Sequence, residues 1–430
     1  MKRSIVWFKA DLRISDNETL VRAIEKSDEI IPVYCLNPSQ FEETEFGFKK
    51  TGSFKTQFLL ESLQDLDANL RKLGSGLILL HGKPEEELCK LAAKYGVHAV
   101  FSKTEVGFEE KEEQVKVEQE LWKINCVLDT YSTSTLYHAE DLPFSIKNIP
   151  DVFTNFRTRT EKDASIRSVF EKPVAIHSIH IPALELPELA FFNLSKTPKN
   201  PKAVLDFKGG ETSGLERIQH YFHDSKAVSS YKKTRNGLIG AGYSTKFSPW
   251  LALGCISPRI IYKELKKYEQ ENGANDSTYW VLFELFWRDY FRFMVKKHQY
   301  KYFLFNGIKD EKNTAAPMDM EKLNAWKNGE TDNDFVNANL VELKLTGFMS
   351  NRGRQIVASY FINELALDWR YGAAYFEEQL IDYDVCSNWG NWAYLAGVGN
   401  DPRGKRAFNM EKQAHEYDPK NEYRNLWLEK

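Results

Sequence analysis

Carboxylates, an amide and indoles crowd one short stretch of the chain, "LIDYDVCSNWGNWAYLAGVGNDPR", at residues 380–403. Its acids are Asp382 and Asp384, and Asn388 stands among tryptophans that include Trp392. A helix that only fills a core is expected to carry plain apolar residues such as Leu and Ala at these positions. The composition therefore indicates that this segment does more than pack.

A second segment, "YKKTRNGLIGAGYSTKFSPWLALGCISP", combines glycines with groups that bind anions. Its hydroxyls and its cation are Ser244, Thr245, Lys246 and Ser248. Pro249 suits a first helical position, which makes Ser248 the predicted N-cap. Hydroxyls and free N–H groups at a helix start predict a phosphate or pyrophosphate site. An ordinary capped turn is the alternative.

A third segment, "FELFWRDYFRF", carries polar residues in a helical pattern. Glu284, Trp287, Arg288 and Phe291 share one face by their i, i+3 and i+4 spacing. They indicate either an intrahelical ion pair over an aromatic ring or a polar pocket in which the indole stacks on a planar ligand.

A fourth segment, "TGFMSNRGRQIVASYFIN", begins an apolar helix with polar side chains, namely Asn351, Arg352, Arg354 and Gln355. Arginines at a helix N-terminus oppose the macrodipole, so an acidic partner is expected. Asp382, Asp384 and a ligand phosphate are the candidates.

These segments need a scaffold, and the pattern of the chain predicts two domains. Strands and amphipathic helices alternate five times in residues 1–130, which predicts a Rossmann-like α/β domain with a five-stranded parallel sheet. Residues 131–205 are rich in proline and lack a sustained period, which predicts a long connector. Residues 206–430 are predicted to form an all-α domain. No GxGxxG or Walker loop is present, so a nucleotide role in the first domain would rest on fold analogy alone.

Composition narrows the class of protein further. The 430 residues are 42% hydrophobic and 28% charged, which indicates a globular chain. The net charge of -3 does not by itself indicate a nucleic-acid binder. Five scattered cysteines without CxxC or metal-ligand spacing predict reduced thiols and no metal site. The N-terminus lacks a signal-peptide core, and no apolar run reaches the roughly 18–20 residues of a membrane span. We expect a cytoplasmic monomer with no membrane partner.

Four ordered motifs resemble the photolyase/cryptochrome family across the whole chain. They are "STKFSPWLALGCISP", "FELFWRDYFRF", "GFMSNRGRQIVAS" and "DYDVCSNWGNWAYLAGVGNDPR", and the last two resemble its DASH branch. The resemblance implies an antenna-type α/β domain, the connector and a helical domain that binds FAD with the flavin folded over the adenine.

The resemblance also implies which residues contact FAD. The diphosphate side would be held by Tyr231, Ser244, Thr245, Lys246, Phe247 and Ser248. Glu284 and Arg288 would line the pocket floor, with Asn351 nearby. Arg354 would pair with Asp382 beside the isoalloxazine, Asp384 would touch the flavin or ribitol, and Asn388 would face the flavin N5 edge.

Electron donors are implied in the same way. Trp392 would be the indole nearest the flavin, and Trp369 would be the next relay. The family usually continues with a third, surface tryptophan, but the matching position here falls near Ala316. The outer end of the relay is therefore expected to differ, with another Trp or Tyr as a possible substitute.

For substrate, the resemblance implies a cyclobutane pyrimidine dimer flipped out of DNA and split by an electron from excited reduced FAD. The residues implied are Glu284 and Trp287 on the dimer, Asn351, Gln355 and Tyr394 around it, and Arg352 and Arg406 on phosphates. Duplex-repairing relatives tend to have Met and Trp where Gln355 and Tyr394 stand. The polar pair predicts a preference for single-stranded or looped DNA, unless it is neutral variation.

Two other functions stay open at this stage. The same fold could serve as a blue-light photoreceptor without physiological repair, or as a helical adaptor that needs no cofactor. A second chromophore is also implied, because Glu105 matches the acid that recognises the pterin of methenyltetrahydrofolate in an antenna site. A Glu that merely opens a surface helix, where it favours the helix dipole, is the alternative for Glu105.

Overall fold

The N-terminal domain is built around a parallel sheet of five strands, which confirms the predicted fold class. The computed structural model describes residues 1–309, 311 and 313–429. The strands lie in the order β3-β2-β1-β4-β5, and each neighbouring pair is parallel. Their bounds are β1 Arg3–Phe8, β2 Glu29–Leu36, β3 Ile78–His81, β4 Ala99–Lys103 and β5 Val127–Tyr131.

Helices cover both faces of this sheet because its central strands are apolar on both sides. They are α1 Glu18–Lys26, α2 Ser53–Arg71, α3 Pro84–Tyr95 and α4 Phe108–Lys123. Alternation along β1 sends Ile5 and Trp7 into a core shared with Leu88 of α3. Val6 and Phe8 point to the opposite face, into a large core that continues through α1 and α2 into the C-terminal half of the chain.

Helices dominate the chain after β5. Their bounds are α5 Phe153–Asp163, α6 Glu211–Gln219, α7 Tyr231–Thr234, α8 Ser248–Ala252, α9 Pro258–Asn272, α10 Asp276–His298, α11 Met320–Asn328, α12 Asp334–Thr346, α13 Asn351–Asn363, α14 Trp369–Gln379, α15 Val385–Leu395, α16 Met410–Tyr417 and α17 Glu422–Leu428. In the part of the chain that the structure describes, no helix combines the length and the apolar character needed to cross a bilayer.

The connector between the domains is tied to both of them by hydrogen bonds. On the helical side, the backbone N–H of Leu136 donates to the buried carboxylate of Asp289 on α10 at 3.0 Å. On the sheet side, Ile30 of β2 donates its backbone N–H to the carbonyl of His177 at 2.9 Å. The connector therefore fixes α10, the longest helix near the candidate site, relative to the sheet.

The helix cap predicted at Ser248 is wrong. α8 includes Ser248 as a helical residue, Phe247 precedes it with helical dihedral angles, and no side chain caps the helix start. The chain turns one residue earlier, because Lys246 has a left-handed backbone with φ of 54°. α8 is also only five residues long, so its dipole contributes little to anion binding.

Candidate functional site

Two neighbouring cavities in the helical domain bring the predicted cofactor residues together. The larger, of about 240 Å³, is bordered by α7, the loop before α8, α10 and the start of α13. The smaller, of about 110 Å³, lies against α13 and α15. Asn351, Arg354 and Asp382 line both. The larger cavity is also lined by Tyr231, Ser244, Thr245, Lys246, Phe247, Ser248, Glu284 and Arg288, and the smaller by Asp384 and Asn388.

Lys246 places an amino group on the wall of the larger cavity. Its side chain is buried, with Nζ 3.2 Å from the centroid of the Tyr243 ring and 3.4 Å from Ser244 Oγ. Burial lowers the pKa of Lys246 to about 6. Arg217 holds the backbone around it by donating to the carbonyls of Ser244 and Thr245 at 3.1 and 3.0 Å. A buried lysine beside hydroxyls on a fixed loop suits an anionic ligand such as a diphosphate.

The polar face of α10 does not form the intrahelical ion pair that was one of its two interpretations. Glu284 instead accepts a hydrogen bond of 2.7 Å from Arg235, which follows α7. Arg288 donates to the backbone carbonyls of Ser134 in the connector and Leu251 in α8. Burial raises the pKa of Glu284, and the positive charge of Arg235 opposes this rise. Glu284 and Arg288 therefore line a polar pocket, whereas Trp287 on the same face of α10 does not line it.

The ion pair predicted between Arg354 and Asp382 is present. Arg354 Nη2 lies 3.0 and 2.8 Å from the two carboxylate oxygens, and the Asp382 side chain is almost fully buried. Because the pair borders both cavities, it presents a fixed positive and negative group to any ligand that spans them. The acid expected to offset the arginines at the start of α13 is thus Asp382.

Asp384, the other candidate acid, does not pair with the arginines at the start of α13. It forms a buried ion pair with Arg292 of α10, and its Oδ1 accepts the backbone N–H of Ser387 at 2.9 Å, which caps α15. Burial acts to raise the pKa of Asp384, but the charges of Arg292 and Arg288 outweigh it and lower the pKa to about 2. Arg292 was missed in the sequence, although it stands one helical turn after Arg288 and could have been found by that spacing.

One indole, Trp392, borders the smaller cavity, and a separate pair of indoles lies in contact elsewhere in the helical domain. Trp392 lines the cavity and packs edge-on against Phe376 at 5.2 Å between ring centroids. Its close approach to α14 requires glycine at position 372, because a Cβ on Gly372 would lie 2.3 Å from the Trp392 ring. Trp369 packs edge-on against Trp389 at 5.8 Å. Asn388 donates its amide to the carbonyl of Ala373 at 2.9 Å, which fixes the orientation of that amide.

The residues predicted to meet the substrate fall into two groups. Gln355 lines the smaller cavity. Trp287 and Tyr394 lie outside both cavity walls but contact each other edge-on at 5.6 Å. One face of Trp287 is covered by Phe153 of α5, with ring centroids 3.7 Å apart and planes 10° apart. Phe153 was missed because it lies within the connector, where nothing in the local sequence marks a contact with α10.

The two arginines predicted to reach phosphates are already engaged. Arg406 pairs with the buried carboxylate of Asp401 and donates to the hydroxyl of Tyr394 at 2.8 Å. Arg352 lies over the ring of Tyr417 at 4.5 Å and donates to Gln355 Oε1 at 3.3 Å. Arg352 has no carboxylate within ion-pair distance among the described residues, so its charge is the freer of the two.

Glu105 lies apart from these cavities, in a third cavity of about 570 Å³ beside the sheet. Its carboxylate is 3.1 Å from Lys103 Nζ and 3.7 Å from Lys9 Nζ. Burial acts to raise the pKa of Glu105, and the two lysines outweigh it and lower the pKa. Glu110 lines the same cavity, and burial together with the charge of Glu105 raises its pKa. Glu110 stands beside Glu109 in the first turn of α4, and nothing in the local sequence distinguishes the two acids.

Comparisons with known proteins agree with this architecture. A DNA photolyase family model matches residues 4–176, and the model of the FAD binding domain of DNA photolyase matches residues 280–430. The chain is 48% identical to the cryptochrome DASH of Danio rerio, over 99% of this chain and 82% of that protein. It is 45% identical to "Cryptochrome DASH, chloroplastic/mitochondrial" of Arabidopsis thaliana, over 99% and 75%. The crystal structure of a Synechocystis sp. cryptochrome matches with a TM-score of 0.96 at 46% identity, covering 100% of this chain and 89% of that one.

The two domains are thus those of an FAD-binding flavoprotein of the photolyase type. The chain belongs to the photolyase/cryptochrome family, in its cryptochrome DASH branch.

Proposed function

We propose that the protein uses blue light and reduced FAD to split cyclobutane pyrimidine dimers in single-stranded or looped DNA. The observation that carries this proposal is the arrangement of one face of α10. Glu284 borders the larger cofactor cavity, and Trp287, one turn further along, meets Tyr394. An acid on the cavity wall is therefore followed, one turn further along α10, by an indole that belongs to an aromatic pair.

The residues of the paired cavities fit FAD. Lys246 supplies a buried cation for the diphosphate, and in the part of the chain that the structure describes it forms no ion pair. Arg354 and Asp382 supply a donor and an acceptor where the two cavities meet. Asn388 and Trp392 would lie on the flavin side, in the smaller cavity. When bound, reduced and excited by blue light, FAD supplies the electron that opens the cyclobutane ring.

The chain's own residues would bind and orient the dimer. Trp287, held flat by Phe153, offers a ring on which a flipped base can stack. Glu284 would hydrogen-bond the bases and stabilise the negative charge that develops on them. Asn351 and Gln355 would border the dimer.

A preference for single strands is supported by the polarity of the site. Gln355 is polar, and the Tyr394 hydroxyl is already held by Arg406. Such a site gains less binding free energy from burying an apolar dimer. It therefore offsets less of the few kcal/mol that unpairing a base in a duplex costs. Arg352 and Arg406 would hold the flanking phosphates.

Repair can be tested directly with ultraviolet-irradiated oligo(dT). The holoprotein, chemically reduced, should restore the base absorbance under blue light and not in the dark. Trp287→Ala should lose most of this activity, whereas Trp122→Ala is a matched control, because Trp122 is 71% exposed on α4. Absence of repair by the reduced wild-type protein on single strands would contradict the proposal.

A second chromophore, methenyltetrahydrofolate, is proposed for the cavity that contains Glu105 and Glu110. The absorption spectrum of the purified protein before and after denaturation identifies both chromophores. All five cysteines are free thiols, which supports the reducing, cytoplasmic compartment proposed for the protein.

A further inference from the structure

Trp389 occupies a position that the repair proposal does not use. It lies on α15, immediately after Asn388, and its side chain is buried. Its ring meets Trp369 edge-on at 5.8 Å and Phe303 at 5.2 Å between centroids. An indole in contact with Trp369 is close enough to pass an electron to it.

The indole N–H of Trp389 is shared between two oxygen acceptors. Nε1 donates to Glu377 Oε2 and to the Tyr383 hydroxyl, each at 3.2 Å. Glu377 lies on α14, and both acceptors line the cavity of about 570 Å³ beside the sheet. The Nε1 proton of Trp389 therefore has an acceptor within hydrogen-bond distance, and that acceptor borders a cavity.

This contact matters because of the charge that oxidation creates. A tryptophan that loses an electron becomes a cation and a much stronger acid than the neutral indole. A positive charge in a buried site is costly, and the electron returns quickly unless the charge is removed. Transfer of the Nε1 proton to a neighbouring base removes the charge and holds the oxidised state on Trp389.

Glu377 suits the role of that base. Burial raises its pKa to about 7, while hydrogen bonds from Tyr383 and Trp389 and the positive charge of Lys55 on α2 hold the pKa down, and the negative charge of Glu110 on α4 raises it. Lys55 Nζ lies 4.5 Å from the centroid of the Tyr383 ring. A carboxylate whose pKa is near neutral is both ionised and basic enough to accept a proton at physiological pH.

We propose that Trp389 is the electron donor that follows Trp369, and that Glu377 accepts its indole proton. The oxidant is the light-excited, oxidised flavin, acting through Trp392 and Trp369. One electron passes from Trp389 to the Trp369 radical cation, which returns to neutral tryptophan. The Nε1 proton passes to Glu377, which becomes a neutral acid, and Trp389 is left as a neutral radical.

This relay takes the place of the family's surface tryptophan. Ala316, near the matching position, is exposed, and an alanine side chain cannot donate an electron. The inference rests on the proposed light-driven chemistry of FAD, but it concerns how oxidised flavin gains electrons and not how DNA is repaired.

Flash photolysis of the holoprotein with oxidised FAD, without DNA, tests the relay. The wild type should show a neutral tryptophan radical in its transient absorption. Trp389→Phe should show only a short-lived radical cation, because the electron hole stops at Trp369. Glu377→Gln keeps a hydrogen-bond acceptor but not a base. In this variant the Trp389 radical cation should lose its Nε1 proton about a hundredfold more slowly. Flavin content, measured by absorbance, confirms that each variant is folded.

Tyr371→Phe is the matched control, because Tyr371 is the neighbouring oxidisable residue on α14 and packs against Phe46 at 5.1 Å. An unchanged neutral radical in Trp389→Phe, or its loss in Tyr371→Phe instead, overturns the proposal. Unchanged deprotonation in Glu377→Gln overturns the role of Glu377. Since no DNA is present, a failure of dimer repair leaves these outcomes unaffected, and the two proposals can fail separately.

Discussion

Arg235 donates a hydrogen bond of 2.7 Å to Glu284 on the wall of the larger cavity. The acid proposed to meet the dimer is therefore paired with a cation from a different segment of the chain. Burial raises the pKa of Glu284, and Arg235 limits that rise. The protonated acid is the form that can donate a hydrogen bond to the bases.

Removing the charge of Arg235 should therefore widen the pH range of repair. Arg235→Gln raises the pKa of Glu284 further, so the acid stays protonated to a higher pH. We expect the alkaline limb of the pH profile of repair to move up by about one pH unit. The measurement is repair of irradiated oligo(dT) by reduced holoprotein across pH. Lys233→Gln, an exposed cation on the same segment, serves as the control and should leave the limb in place.

FAD binding should take up a proton at Lys246. In the ligand-free protein burial lowers the pKa of Lys246 to about 6, so above that pH the side chain is mostly neutral. A diphosphate beside it favours the charged form and raises the pKa. The affinity for FAD should therefore fall as pH rises above about 6, by up to about tenfold per pH unit.

Fluorescence titration of FAD-stripped protein at several pH values measures this slope. Lys246→Gln should bind FAD more weakly and with a flat pH dependence. Glu342→Gln is a necessary control, because burial raises the pKa of Glu342 to about 8 and its charge acts on Lys246. A wild-type affinity that does not change with pH would show that Lys246 does not face the diphosphate.

Much of the helical domain follows from local sequence, and the errors have physical causes. Strands β1, β2 and β3 were predictable because each contains a short apolar run, and α10 and α13 because their apolar periods are long. The cap at Ser248 failed because a left-handed backbone at Lys246 moved the helix start by one residue. Positive φ at a lysine costs energy that only the surrounding structure can offset, so no local pattern signals it.

The cavity-lining residues were found by resemblance, but only one of their two ion pairs was predicted. Asp382 was paired correctly with Arg354, whereas Asp384 pairs with Arg292. Contacts between α10 and α15 join residues about ninety positions apart, and their partners depend on how the helices pack. Charge pattern alone left both acids as candidates for the same arginines.

The pair of Asp384 and Arg292 should make the protein sensitive to acid. Asp384 has a pKa of about 2, below its ordinary value of 3.8. The lowered pKa contributes about 2 kcal/mol to the free energy of unfolding. This contribution is fully present at pH values above the ordinary pKa of 3.8 and is lost as the pH falls through about 2. Asp384→Asn should remove this part of the acid sensitivity, as measured by urea unfolding of the holoprotein at a series of acidic pH values.

Breaking only one side of this pair should cost more than removing both. Asp384→Asn leaves Arg292 as a buried, unpaired charge, with an expected loss of about 3–5 kcal/mol in the free energy of unfolding at neutral pH. The double variant Asp384→Asn with Arg292→Met should recover part of that loss. Additive effects of the two substitutions would show that the pair contributes no coupling.

Gln355 and Tyr394 offer a test of substrate choice within one chain. Gln355 lines the smaller cavity, and Tyr394 stands edge-on to Trp287. Duplex-repairing relatives tend to have Met and Trp at these positions. The double variant Gln355→Met with Tyr394→Trp replaces polar groups with apolar surface, which should strengthen the binding of a flipped dimer and offset more of the cost of unpairing.

In the double variant, we expect the repair rate to increase more on duplex than on single-stranded substrate. Repair rates should be compared on the same dimer-containing oligonucleotide, alone and annealed to its complement. Because Arg406 donates to the Tyr394 hydroxyl, Tyr394→Phe is the control that removes this hydrogen bond without enlarging the ring. If Tyr394→Phe alone reproduces the shift, release of Arg406 toward DNA is responsible. If neither variant changes the ratio of the two rates, the polar pair is neutral variation and strand preference is set elsewhere on the surface.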